Sequence, residues 1–154
     1  MANGSSGISS AFKKNLLNGW YAFGTSVVRA NSDADVFKMA LYLATASITT
    51  ATDAYTATGE VNAGSANYAA GGVAVTNATA PDIDTGVAFW QPSASVVWTN
   101  LTSGGSFDGV LLYNDTRADG SVAFFNISAQ TVTAGLFTLT MPTPGKNTGL
   151  IRIS

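Results

Sequence analysis

The strongest pattern along the chain is Phe107–Asn114, FDGVLLYN, followed by the turn-forming residues 115–120. Side chains of a strand alternate between its two faces, which sets Phe107, Leu111 and Tyr113 on one side and Val110 and Leu112 on the other. Both sides are apolar. Such a strand is predicted to lie mid-sheet, covered above and below. Residues 36–46 alternate as cleanly, with Phe37, Met39, Leu41 and Leu43 on one face and Val36, Lys38, Ala40 and Tyr42 on the other. Period two predicts a strand there as well.

From Gly71 onward, short β-branched or aromatic runs recur at 73–76, 87–90, 95–99, 107–114, 122–128, 136–141 and 150–153. Pro81, Pro92, Gly104-Gly105, Asp119-Gly120, Gly135, Pro142 and Pro144-Gly145 punctuate them. With 36–46 these make eight strands. The expected fold is therefore all-β, a jelly-roll-like β-sandwich of about eight strands, with a short N-terminal helix.

The helix is expected over 11–18, capped by Ser9 or Ser10 and stopped by Gly19. Ile8, Phe12 and Leu16 fall four apart, Leu17 and Trp20 widen that face, and Lys13, Lys14, Asn15 and Asn18 stay polar. An amphipathic turn and a half of this kind either plugs an open end of the sandwich or docks on another subunit. Residues 1–7, rich in Gly, Ser and Asn, are expected to form a mobile or partner-dependent arm. The chain thus divides into an arm and helix over 1–20 and a sandwich domain over 21–154. Residues 20–28 are apolar but broken by Gly24 and fit a short strand or an extended crossing, and 31–35 form a turn. Residues 47–70 show no strong period. A connection of that length is usually functional, so it is expected to project or to form an interface, with Tyr55, Glu60 and Tyr68 in it.

One pattern bears on association. Phe89 and Trp90, Leu111 and Leu112, and Phe124 and Phe125 are adjacent apolar pairs, and adjacent strand residues point opposite ways. A two-sheet sandwich has one inner face, so each outer member needs another cover. The helix and the 47–70 segment can supply some of it, and the remainder predicts contact with a neighbouring subunit.

Composition narrows the chemistry. The chain of 154 residues has no Cys and no His, which removes disulfides, thiolate chemistry, the commonest general base and the commonest metal ligand. Only 10% of residues are charged, 7 Lys plus Arg against 9 Asp plus Glu, for a net charge of -2. No phosphate-binding field follows, so nucleic acid is not expected as a partner. Residues 1–15 hold no apolar run of the signal-peptide kind, and no window reaches the roughly 18 to 20 apolar residues of a membrane span. Neither secretion nor a membrane is expected.

Asp33 with Asp35, and Asp82 with Asp84, have the i, i+2 spacing that opens some calcium loops, but neither continues with the Gly and Glu that would complete one. They are expected in turns. Asp108 and Asp115 could pair as acid and base, though nothing places them across a cleft. Without His, the many Ser and Thr lack a partner base, and no G-x-S-x-G elbow or S-x-x-K pair occurs. Gly71-Gly72 and Gly104-Gly105 lack the context of a phosphate loop. Trp20, Trp90 and Trp98 could stack on a sugar, but Trp90 and Trp98 sit inside strand patterns and are expected in the core or an interface. No catalytic residue, metal or cofactor is expected.

The second half of the chain carries a resemblance. Phe107, then Val110 to Asn114, Thr133 to Phe137, Pro142 and Leu150 to Ile153 follow one another as in the ending of a group of small structural proteins of tailed bacteriophages. Upstream, Phe37 to Tyr42, Ala54-Tyr55-Thr56, Glu60-Val61 and Tyr68 to Gly72 are similar to that group's pattern, so the resemblance spans residues 36–154. It departs from the pattern at 62–66, where Gly64-Ser65-Ala66-Asn67 replaces a shorter Gly-x-Gly spacing. The resemblance implies a virion protein made in the host cytoplasm. Among virion proteins of this size and fold it implies a capsid cement or decoration protein: a dimer or trimer on the outside of the shell, with itself and the major capsid protein as partners. A neck, tail or fibre-attachment component is the alternative, and a carbohydrate-binding module that touches the host surface is a third. Contact residues are expected in the helix, at Phe12, Leu16 and Trp20, and in the long segment, at Tyr55 and Tyr68. Deleting the helix separates the cases, since shell binding would be lost and sugar binding kept.

Overall fold

A computed structural model describes residues 3–17, 20, 21, 23, 35–61, 68–76 and 81–154. In chain order the elements are β1 (Gly7–Ile8), α1 (Ser10–Leu17), β2 (Phe37–Leu43), β3 (Val73–Ala74), β4 (Asp82–Asp84), β5 (Val87–Trp90), β6 (Val96–Leu101), β7 (Phe107–Asn114), β8 (Gly120–Gln130), β9 (Gly135–Leu139) and β10 (Ile151–Ile153). The fold is the expected all-β sandwich. Each of the eight expected runs contains a strand, and β1 and β4 are additional. The strands form antiparallel sheets in the orders β1-β8-β7-β2-β3, β10-β5-β4 and β6-β9.

The five-stranded sheet explains the doubly apolar pattern of β7. Its inner face contributes Phe37, Met39, Leu41, Val110 and Leu112 to a core shared with Trp90, Val96, Trp98, Leu101 and Ile151 of the smaller sheets. Its outer face contributes Ala40, Tyr42, Leu111, Tyr113 and Phe124 to a second cluster with Ala46 and Ile48. Burying a large apolar side chain stabilises by about 1.5 to 3 kcal/mol, and β7 collects that on both faces. Phe107 departs from the expected grouping, because it lies with Val110 and Leu112 rather than with Leu111 and Tyr113. The cause is a bulge. Tyr42 pairs with Gly109 and Leu43 with Phe107, leaving Asp108 as an extra residue, and one extra residue inverts the alternation beyond it.

Helix α1 starts where expected. Ser9 Oγ accepts the Phe12 N–H at 3.0 Å and donates to the Ser121 carbonyl at 2.7 Å, so one hydroxyl caps the helix and ties it to β8. Phe12 then enters an aromatic cluster, 4.9 Å from Tyr21 and 5.9 Å from Phe23, and Phe23 lies 4.7 Å from Phe37 and 4.5 Å from Trp90. The helix closes the core.

Three expectations are corrected. Residues 3–9 are held by the chain itself: β1 pairs with β8, Gly4 N–H donates to the Ile48 carbonyl at 3.0 Å, and the Asn3 amide donates to Asp108 at 2.5 Å and Leu43 O at 3.2 Å. Edge pairing and the close approach of Gly4 to Thr49, where a Cβ would lie 2.8 Å from Cγ2, leave no loose arm over those residues. The 47–70 segment does not project where it is described. Gly59 and Val61 bond the backbone of Leu43 and Leu41 at 2.9 and 2.8 Å, extending the sheet along β2 beyond β3, because the outer apolar face needs a cover. Third, Asp82 and Asp84 belong to strand β4 and not to a loop. The turn is one step later, at Thr85 and Gly86, both at positive φ, as a tight hairpin requires. The expected crossing at 20–28, the turn at 31–35 and the departure at 62–66 fall wholly or largely outside the described residues.

Candidate functional site

The expected contact residues separate into two groups. Phe12 is 1% and Tyr68 3% exposed, so both are packed inside the chain, while Leu16 and Trp20 are each 39% exposed. Tyr55 is half-buried, with its ring 4.9 Å from that of Tyr113 and nearly parallel to it. The structure brings Tyr55 and Tyr68 together, but around a buried carboxylate rather than on the surface.

That carboxylate is Glu60, 5% exposed. Tyr55 Oη donates to its Oε2 at 2.7 Å, and Tyr68 Oη and the Gly71 N–H donate to its Oε1, each at 2.9 Å. Tyr68 also accepts the Leu41 N–H at 2.9 Å, so its hydroxyl serves an edge donor of β2 that no strand reaches. Tyr42 donates to the Thr56 carbonyl at 2.7 Å and Tyr113 to the Gly71 carbonyl at 2.8 Å. Three phenols, those of Tyr42, Tyr68 and Tyr113, therefore fasten this stretch to the sheet, and Tyr55 bonds within it while its ring lies on that of Tyr113. Burial pushes the phenols of Tyr42, Tyr68 and Tyr113 far above their ordinary range. Tyr55 is pushed up to about 12, by burial first and then by its bond to Glu60. Held neutral, these phenols donate hydrogen bonds and do not act as bases. The segment also approaches the sheet closely at Gly72, whose φ is +74 and whose Cβ would lie 1.9 Å from the Met39 carbonyl oxygen.

The other acidic candidates are also bonded within the chain. Asp35, with no exposed side-chain surface, accepts from Asn114 at 3.0 Å and from Arg117 Nε at 3.2 Å. Asp115 pairs with Lys38 at 2.8 Å, and Asp108 holds Asn3. Asp108 and Asp115 lie toward opposite ends of β7, on the order of 20 Å apart, well beyond the separation an acid and base pair uses. Trp90 and Trp98 are each 3% exposed, which takes two of the three tryptophans away from any stacking platform. Among the described residues, no three His, Cys, Asp or Glu side chains converge as metal ligands.

What the surface does offer is apolar. A groove of about 170 Å³, lined entirely by apolar surface, runs between α1 and the sheet β10-β5-β4, with Phe12, Leu16, Phe23, Pro81, Ala88 and Ile153 in its walls. Val97 and Leu136, 41% and 67% exposed, lie on a separate face. The pairing of Val97 with Thr138 puts them together on the outer side of β6 and β9. Leu16 of the groove was among the expected contact residues, whereas Ile83, alone between two aspartates, and Leu136, in a run whose alternate residues pack on the core, carry no pattern that marks them. No family model matches the chain, and neither a curated protein nor a solved structure matches it.

Proposed function

We propose that the chain is a non-enzymatic structural protein of a tailed-phage virion, acting as a capsid cement protein that binds and stabilises the shell of major capsid protein. The observation that carries the reading is the presence of exposed apolar side chains on two separate faces, Leu16 and Ile153 at the groove, with Ile83 paired to Ala88 of its wall, and Val97 and Leu136 on the outer side of β6 and β9. Two such faces suit a subunit that touches both its own kind and a shell. With charged residues only 10% of the chain, little desolvation opposes that burial, and an ordered lattice multiplies weak contacts. Glu60 and Asp35 direct their oxygens to bonds inside the chain, which supports a structural use of the buried acids. The ordered motifs over 36–154 supply the phage part of the reading.

A neck, tail or fibre-attachment role would use the same faces in fewer copies. A sugar-binding role loses support with Trp90 and Trp98 in the core. The test is co-sedimentation of the purified chain with shells assembled from the major capsid protein alone. Binding should saturate at a simple ratio and weaken strongly with Leu136→Lys, a substitution on an exposed position that leaves the core intact. Failure to pellet with shells at saturating concentration would contradict the cement reading. Deleting the helix is no longer a clean test, because Phe12 would leave the core with it.

A further inference from the structure

Asn3-Gly4 is one of two Asn-Gly steps in the chain, with Asn18-Gly19 the other. In such a step the backbone nitrogen of the glycine, with no Cβ beside it to hinder approach, can attack the side-chain amide of the asparagine. The structure places the first step where residues 3–9 meet the five-stranded sheet. Asn3 Nδ2 donates to Asp108 Oδ1 at 2.5 Å and to the Leu43 carbonyl at 3.2 Å, and its Oδ1 accepts the Ile48 N–H at 3.3 Å. Gly4 N–H donates to the Ile48 carbonyl at 3.0 Å. Glycines make room for this docking, since a Cβ at Gly109 would lie 2.7 Å from Asn3 Nδ2. The amide therefore sits over the bulge, on the carboxylate of its extra residue, Asp108. Beyond it, Ser6 Oγ bonds the backbone of Asn126, and Gly7 and Ile8 pair with β8.

We propose that Asn3 is a deamidation site that works as a one-way latch on this arm: docking protects the amide, and its conversion to a carboxylate prevents redocking. The reaction needs only water. Gly4 N forms a bond to Asn3 Cγ, the Cγ–Nδ2 bond breaks, and the Gly4 N–H proton leaves with the amide nitrogen as ammonia. Water then opens the resulting succinimide to an aspartate or an isoaspartate. In the docked arm Gly4 N–H is engaged with Ile48 and the Asn3 amide is held on both its atoms, so attack waits for the arm to lift. The product does not return. An ionised carboxylate only accepts hydrogen bonds, and at position 3 it would face two acceptors, the Asp108 carboxylate and the Leu43 carbonyl, where the amide now donates. Repulsion between the carboxylates and loss of both bonds favour the lifted arm, and an isoaspartate also lengthens the backbone and shifts Gly4 away from Ile48. Lifting takes β1 off the edge of β8, so the backbone groups of Phe124 and Asn126 that face it are open to another strand.

The experiment is prolonged incubation of the full chain near neutral pH, folded and in urea, with deamidation at Asn3 and Asn18 read by peptide mass spectrometry. In urea both sites should deamidate at similar rates. In the folded chain Asn3 should deamidate more slowly than in urea, on the order of tenfold. Asp108→Ala should speed the folded rate several-fold and leave the rate in urea unchanged. Amide hydrogen exchange then reads the latch. Asn3→Asp should exchange faster than wild type at residues 4–8, Phe124 and Asn126, with β6 and β9 unaffected. Adding Asp108→Asn, which supplies a donor for the new carboxylate, should restore much of the protection. If Asn3→Asp alone does not fold, recovery by Asp108→Asn supports the clash of carboxylates, and no recovery overturns it. Equal rates in urea and in the folded chain, no deamidation at Asn3 in the folded chain, or an Asn3→Asp variant that exchanges like wild type would each overturn the proposal. All of this is read on the purified chain, so it stands apart from whether the chain is built into a particle.

Discussion

Raising the pH above about 10 should unfold this protein through its tyrosines, before any backbone chemistry intervenes. Tyr42, Tyr68 and Tyr113 are 0%, 3% and 2% exposed, and burial is the leading cause that raises the pKa of each. In the unfolded chain the same phenols ionise near 10. Above that pH the folded state holds more protons than the unfolded state, so stability falls as pH rises. Each buried phenol contributes about 1.4 kcal/mol of loss per pH unit in that window, and three together contribute about 4 kcal/mol. Tyr55 is left out of the sum because its half-exposed ring is screened by solvent. A loss of about 4 kcal/mol by pH 11 is a large part of the 5 to 15 kcal/mol that holds a typical domain together. The assay is urea unfolding by circular dichroism at several pH values, with phenolate absorbance followed in parallel. The denaturation midpoint should fall steeply above pH 10, and most phenolate should appear only as structure is lost. Phenolate formation by all five tyrosines near pH 10 with unchanged circular dichroism would refute the buried cluster.

Two further outcomes follow from the same region. Glu60→Gln replaces one of two accepting oxygens with a donor facing a phenol or the Gly71 N–H; it should cost about 1 to 3 kcal/mol and speed amide exchange in 54–61 and 68–72 more than in β6 and β9. Gly72→Ala places a methyl into the Met39 carbonyl at a positive φ; a loss of more than about 3 kcal/mol, or no soluble protein, is expected in chemical denaturation.

Much of the sandwich was legible because its strands report burial directly. β7 is apolar on both faces, and both faces are covered; β2 alternates, and its two faces enter two different clusters. The misplacement of Phe107 shows the limit. A bulge at Asp108 inverts the alternation without altering composition, so a period of two cannot register it. The edges were less legible for another reason. β1 and β4 are two and three residues long, too short to display a period, and Asp82 and Asp84 have the composition of a turn. The 47–70 segment misled because its fastening is polar: Glu60 and the tyrosines around it look like a solvent-facing loop until the hydrogen bonds that satisfy them are known. The expected need for a second cover was sound in principle, but for Leu111 and Phe124 this segment meets it. Among the described residues, large apolar side chains stay exposed at the groove and on β6 and β9, and also at Trp20, Val36 and Ile83.

The central claim is that the chain serves as a repeated structural subunit of a phage shell. It is tested most directly by the number of copies of this chain per purified particle of the phage that, on this proposal, would encode it, by quantitative mass spectrometry against the major capsid protein. The cement reading predicts copies in the hundreds, near a simple ratio to the shell subunit. A count of some tens or fewer would move the chain to the neck, tail or fibres, and its absence from the particle would contradict the virion reading altogether.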